Sequence, residues 1–332
     1  MASKLTIQDI ADGLGVSKTT VSRAISGKGR ISPATTEKVL NYIREQNFTP
    51  SAMARGLAQQ RTFNIGVVCP IDYELFDLQY FHRCLEGISL ATCKAGYDIL
   101  ISMMEGNNIT NLERIIDNHK VDGVILTRTL FDDPPARYLK DKGIPIVAIG
   151  SSPDKELLQV DNDHFSACRE LTSVLIGKGL RRLALIGGDN THIITDTRRR
   201  GFEDAFRTAG LSVDPALIFM GVGSSAQVSD TMTNIMESGA DGVICMDEKL
   251  TSYALGYCSS HGIRIPDDIA LASFYNSPML ENSAPPVTAL NVEDKVLGKA
   301  AAELLLDEIE GREVTSRMLR SYQIILREST SR

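Results

Sequence analysis

The chain has 332 residues, 43% of them hydrophobic, six cysteines and a formal charge of −7. That length predicts two or three domains with large cores. No apolar run approaches a membrane span and no signal peptide precedes the first helix; the cysteines (69, 84, 93, 168, 245, 258) show neither CxxC nor metal-ligand spacing. They read as reduced, mostly buried small hydrophobes of a cytoplasmic protein, with no metal site and no membrane partner expected.

The charge is uneven. Residues 1–61 hold nine Lys/Arg against four Asp/Glu, which leaves this head at +5 and the remainder of the chain at −12. A basic head on an acidic body localises attraction for phosphate at one end.

Residues 5–27, LTIQDIADGLGVSKTTVSRAISG, read as two short helices about a tight turn. Thr6 caps the first, whose Ile7, Ile10, Ala11 and Leu14 follow the i, i+3, i+4, i+7 rule. Gly13 and Gly15 bracket the break, and Ser17 caps a second helix with Val21, Ala24 and Ile25 on its apolar side. Lys18, Thr19, Ser22 and Arg23 occupy the other face, with Thr20 beside them. Short hydroxyls and basic side chains reach phosphates and base edges in a major groove; apolar residues there would have indicated core. Helical hairpins that bind no DNA share the bare pattern, so the following segments matter. Ser32-Pro33 is an N-cap with Pro at the first helical position, opening a third helix whose Val39, Leu40 and Ile43 would cover the first two. In residues 47–62, NFTPSAMARGLAQQRT, Pro50 stiffens the connection. Ser51 caps a helix of small residues (Ala52, Ala54, Ala58) that exposes Leu57 and carries Arg55. That segment has too little apolar area to fold alone, and a twin copy on DNA would complete it.

TIQDIA, GVSKTTVSRAISG and PSAMARGLA, followed by a hydrophobic strand, resemble the LacI/GalR family of bacterial transcription regulators, and the order of elements matches along the whole chain. The resemblance implies a transcriptional repressor, acting as a homodimer on a near-palindromic operator in double-stranded DNA and associated with the nucleoid. Thr6, Ser17, Lys18, Thr19, Thr20, Ser22, Arg23, Ser51, Ala54, Arg55 and Leu57 would contact DNA. Lys18 and Thr19 would supply most base choice, Arg23 would pair with guanine, and Leu57 would wedge into a central base step.

After residue 63 the rhythm becomes strand, helix, strand. Strands are expected at Asn64–Cys69, Ile99–Met103, Gly123–Thr127 and Ile144–Gly150, then at Arg182–Ile186, Ala216–Met220, Gly242–Met246 and Ile269–Phe274. Helices fall between them near Tyr80–Ala95, Thr110–Asn118, Pro134–Lys142, Phe165–Lys178, Arg198–Ala209, Ser225–Glu237 and Leu250–His261. Two such blocks predict two doubly wound parallel-sheet subdomains with a ligand cleft beyond the strand C-termini. The expected fold class is thus an all-α helix-turn-helix domain (1–47), a hinge helix and linker (48–62) and an α/β effector-binding and dimerisation domain (63–332). The family resemblance makes the last periplasmic-binding-protein-like, with an N-subdomain of about 63–160 and 293–320 and a C-subdomain of about 161–292 and 321–332. Crossings would fall near Ser151–Asp161, Pro285–Val292 and Ser321, and the helix Asp294–Ile309 would return to the first subdomain. No leucine heptad follows, which favours a dimer over a higher oligomer.

No enzymatic pattern is found. The histidines (82, 119, 164, 192, 261) form no HExxH, GxSxG and the P-loop are missing, and Ile186-Gly187-Gly188-Asp189 is not GxGxxG. Asp132-Asp133 and Asp267-Asp268 sit beside prolines as solvated turns. No cofactor is expected. The family resemblance instead implies a sugar or sugar-acid effector bound by Tyr80, Phe81, Thr127, Ser151, His192, Asp196, Arg198, Asp247 and Tyr275. Arg198 offers a planar donor fork, though an exposed helix-start arginine, like Arg199 and Arg200 beside it, is the plain alternative. Where the family ends a strand in Gly-Tyr/Phe-Asp, this chain reads Ser273-Phe274-Tyr275-Asn276; where it has Gly-Asp-Phe, this chain has Gly221-Val222-Gly223. Loss of the carboxylate beside a retained arginine favours an acidic effector. Control by a protein co-effector or a purine-type corepressor, and a sugar-binding protein that does not bind DNA, are the alternatives.

Overall fold

The computed structural model describes residues 6–26, 29–46, 59, 61–70 and 78–331. The expected contacts Ser51, Ala54, Arg55 and Leu57, and the hinge helix that carries them, lie outside the described residues. The chain divides into two compact units: Met1–Phe63 with His119–Val121, and Asn64–Asn118 with Asp122–Arg332.

The described residues of the first unit form three helices, α1 (Ile7–Leu14), α2 (Lys18–Ser26) and α3 (Pro33–Glu45). Thr6 and Asp9 close a capping box on α1: the Asp9 amide donates to Thr6 Oγ1 at 3.3 Å and the Thr6 amide to Asp9 Oδ2 at 2.7 Å. Gly15 ends the helix at φ 66°, a left-handed conformation that costs a side chain 1–2 kcal/mol, roughly. Gly13 lies inside α1, where a Cβ would strike the Tyr42 ring. It is a packing glycine, and the break belongs to Gly15 alone. Ile10, Ala11, Val21, Ala24, Val39 and Ile43 form the core, with Ile7, Leu14, Val16, Ile25, Ile31 and Tyr42 around it. Leu40, expected in that core, is 38% exposed, because it sits about 100° around the helix from Val39.

The second unit begins with β1 (Asn64–Pro70), α4 (Leu78–Lys94), β2 (Asp98–Met104), α5 (Thr110–Asp117), β3 (Gly123–Leu126), α6 (Pro134–Asp141), β4 (Ile146–Ile149) and β5 (Leu158–Asn162). It continues through α7 (His164–Gly177), β6 (Leu183–Ile186), α8 (Ile193–Thr208), β7 (Ile218–Phe219), α9 (Ser225–Ser238), β8 (Gly242–Cys245), α10 (Glu248–Ser260), β9 (Ala270–Ser273) and the short α11 (Pro278–Glu281). β10 (Thr288–Val292), α12 (Asp294–Ile309), β11 (Arg317–Leu319) and β12 (Tyr322–Ile325) complete it. Two six-stranded sheets result, ordered β11-β5-β4-β3-β1-β2 and β12-β10-β9-β8-β6-β7. Among the described residues, every strand pairing within these sheets is parallel except β10 with β12. Central strands are buried along their length, as helices on both faces require.

Four strands, β5, β10, β11 and β12, form where none is expected. Residues 158–162 alternate polar and apolar and lack the continuous apolar run of a central strand; pairing to β4 and β11 makes them strand. The first passage between lobes therefore falls at Asp163, after β5. The second follows β10 at Glu293, later than Pro285–Val292, and the third separates β11 from β12 at residues 320–321. α8 starts at Ile193, five residues before the expected Arg198, because its first turn opens with the β-branched Ile193, Ile194 and Thr195, which have weak helix propensity.

Glycines set the closest helix crossings. A Cβ at Gly87 would overlap the Lys295 carbonyl, and one at Gly298 the Cys84 carbonyl, so α4 and α12 touch backbone to backbone. Gly201 allows α8 the same approach to the Phe165 carbonyl on α7. Cys69, Cys84, Cys168, Cys245 and Cys258 are buried, and Cys93 is exposed.

Candidate functional site

On α2, Lys18, Thr19 and Arg23 are exposed and Thr20 and Ser22 half-buried. Ser17 caps the helix by accepting from the Thr20 amide at 3.1 Å, and its hydroxyl lies 2.8 Å from Thr20 Oγ1. Thr6, Ser17 and Thr20 therefore hold helix ends, while Lys18, Thr19 and Arg23 form the surface-directed polar face. Val21 and Ala24, buried behind it, fix the rotation of that face.

The second unit contains a cavity of about 350 Å³ at the strand ends of both sheets. That is within the roughly 300–1,000 Å³ of small-molecule sites. Seven of the nine expected effector residues line it: Tyr80, Phe81, Thr127, His192, Arg198, Asp247 and Tyr275. Tyr80 and Phe81 meet edge to face, ring centroids 5.1 Å apart, and Tyr80 Oη reaches the Thr127 carbonyl at 3.5 Å. Thr127 Oγ1 donates to the Val68 carbonyl at 2.8 Å.

Ser151 and Asp196 are outside the lining. Ser151 donates to Asp161 Oδ2 at 2.6 Å and so acts on the cavity at one remove. Asp196 lies two positions before Arg198, about 200° around the helix, and turns away to accept from Arg199 and Arg200 at 2.8 Å each. That pairing also separates the three consecutive arginines. Arg199 and Arg200 are held at the surface, whereas Arg198 is 9% exposed and faces inward.

Arg198 Nη1 donates to the Met246 carbonyl at 2.6 Å, while its Nε is buried with no hydrogen-bond partner among the described residues. Asp247 caps α10, taking the Leu250 amide at 2.8 Å, and burial raises its carboxyl above the usual range. Sequence reasoning missed Asp161, His164 and Asp294, all buried in the lining. Burial raises the Asp161 carboxyl. Burial, then the Arg198 charge, drives His164 down to about 3, so its ring is neutral at ordinary pH. Asp294 opens α12; Tyr275 Oη donates to its Oδ2 at 2.7 Å, and Oδ1 is buried without a partner among the described residues. Burial pushes this carboxyl up to about 6, against the opposing pull of the Tyr275 hydrogen bond and of Arg83 and Arg198. The carboxylate missing at position 275 is thus supplied by α12 and held by the tyrosine that replaced it. The signal that could have found Asp161 and Asp294 was their place at the C-terminal ends of β5 and β10, strands that did not read as strands.

A backbone clasp joins the lobes at the cavity's edge. The Phe131 amide donates to the Thr191 carbonyl at 3.1 Å and the Ile193 amide to the Thr129 carbonyl at 3.4 Å. This brackets an antiparallel bridge between Leu130 and His192. Thr129 and His192 also line the cavity.

Residues 6–51 match the family model for bacterial regulatory proteins of the lacI family, and residues 172–330 match a periplasmic binding protein-like domain. The chain is similar to the HTH-type transcriptional regulator MalR of Staphylococcus xylosus, 31% identical over 98% of both chains. It is also similar to the HTH-type transcriptional regulator CelR of Thermobifida fusca, 29% identical over 98% of both. A solved complex of transcriptional regulator CelR with cellobiose shares 27% identity at a TM-score of 0.74, covering 98% of this chain and 99% of that one.

Proposed function

Because the chain belongs to the lacI family of bacterial regulatory proteins, we propose that it is a DNA-binding transcriptional repressor whose operator affinity is set by a sugar-type effector in the cavity. The observation that carries this is the pairing, in one chain, of a helix-turn-helix with an exposed Lys18/Thr19/Arg23 face and a cavity lined by a buried, inward-facing arginine. Arg198 has an uncommitted Nε–H, which is what a ligand hydroxyl or ring oxygen takes up. The similar regulator solved with cellobiose supports a sugar in that place.

Lys18 and Thr19 lead base choice and Arg23 engages a guanine. A homodimer places two α2 helices on the halves of a near-palindrome. Effector binding shifts the population between two lobe arrangements, which requires unequal affinity for them. The test is fluorescence anisotropy of the full-length protein on DNA from upstream of its own gene, with and without cellobiose and maltose. The expected outcome is tight, salt-dependent binding that a sugar changes in wild type but not in Arg198→Ala. Equal affinity for this DNA and a scrambled duplex would refute the repressor reading. Purines in the same assay test the corepressor alternative.

A further inference from the structure

Asp294 is 3% exposed, lines the cavity and has a buried Oδ1 with no hydrogen-bond partner among the described residues. A buried acceptor left unpaired keeps its full desolvation penalty, the more so when charged, so the fold retains it at a cost that a partner in the cavity would remove. Its other oxygen is fixed by the Tyr275 hydroxyl, which orients the carboxylate. The rest of the lining compounds its sign. Asp161, Asp189, Asp247 and Glu248 share the wall with Asp294, against Arg128, Arg198 and Lys249. Arg198 already spends Nη1 on the Met246 carbonyl. Among the described lining residues, an anionic ligand would meet one orphan buried donor, Arg198 Nε, and an excess of carboxylates. A ligand with hydrogens to give would satisfy Oδ1.

We propose that Asp294 sets the ligand class: its Oδ1 takes a hydrogen from a hydroxyl or amino group, so the cavity accepts neutral and amino sugars and rejects sugar acids and sugar phosphates. This rests on the reading of the cavity as the effector site. It reverses the expectation drawn from Tyr275 alone, because the missing carboxylate returns from α12.

The test is thermal melting of the full-length protein with cellobiose, maltose, glucosamine, gluconate and glucose 6-phosphate, for wild type, Asp294→Asn and Arg198→Ala. The wild-type midpoint should rise with one or more of the first three and with neither anion. Asparagine can still accept from Tyr275 through its oxygen while its Nδ2 donates into the cavity. Asp294→Asn should therefore weaken the neutral-sugar response by about tenfold or more and raise that to gluconate. A wild-type response to gluconate or glucose 6-phosphate overturns the proposal. So does a lower ligand-free melting point in Asp294→Asn with an unchanged ratio of neutral to acidic responses, which is what a purely structural residue gives. If Arg198→Ala abolishes the sugar response and Asp294→Asn does not, this inference fails and the cavity reading stands. If neither variant changes it, the cavity reading fails too.

Discussion

Asp294 and His164 give the cavity opposite pH signatures. The folded state raises the Asp294 carboxyl from 3.8 to about 6, so the native state holds the proton more tightly than the unfolded chain. Its contribution to stability is then full below about pH 4 and declines as pH rises to about 6. Asp294→Asn removes the titration, so its melting point should gain on wild type between pH 4 and 7 and hold a constant offset above that. His164 has the reverse sign: its folded value falls from 6.5 to about 3, so stability is present above 6.5 and lost as pH falls through that window. His164→Gln should be less acid-sensitive than wild type between pH 6 and 4, read by the same melting curves. On α2, Arg23→Ala should cost about 1–3 kcal/mol of operator affinity and relax choice at one base pair, measured by anisotropy on single-base operator variants.

The glycines of the helices are not equivalent, and their neighbours decide the sign of a substitution. At Gly298 a side chain would enter the Cys84 backbone at the α4–α12 crossing, so Gly298→Val should destabilise by at least about 2 kcal/mol in urea denaturation. Gly256 sits exposed in α10 with open space around it, so Gly256→Ala should stabilise by roughly 0.5–1 kcal/mol in the same assay. The clasp between β3–α6 and β6–α8 invites a covalent test. In an antiparallel ladder the bracketed pair is the closely spaced, non-hydrogen-bonded one, with Cα atoms about 4.5 Å apart, inside the range a disulfide spans. Leu130→Cys with His192→Cys should oxidise to a lobe-to-lobe crosslink and slow sugar exchange, with reduction restoring it. Unchanged exchange rates in the oxidised protein would show that the clasp does not control entry.

At the scale of the whole molecule, the homodimer proposed above would need an apolar surface on each copy. Leu90 on α4 and Ile101 on the edge strand β2 are each about half exposed and are the residues proposed for that surface. Leu90→Glu with Ile101→Glu should shift sedimentation towards monomer and weaken operator binding, while leaving the sugar-induced rise in melting temperature in place. Loss of the sugar response as well would indicate misfolding and not a lost interface.

The helix-turn-helix was legible in the residues because its information is local. Caps at Thr6, Ser17 and Ser32, the left-handed Gly15 and a 3.6-residue apolar period all act within a few positions. The buried central strands and most helices of the α/β body were legible for the same reason: a strand covered on both faces must be continuously apolar. Only tertiary structure decided the rest. β5, β10, β11 and β12 depend on partners far along the chain, so the ends of β5 and β10, and with them Asp161 and Asp294, could not be placed in a cavity beforehand. Nothing local separates Arg198 from Arg199 and Arg200; the rotation of α8 on Gly201 against α7 turns one inward and leaves two at the surface. The charge facing a ligand is likewise a sum over six or more elements. That is why the change to tyrosine at 275 predicted an acidic effector, and the fold, by returning a carboxylate from α12, points to the opposite.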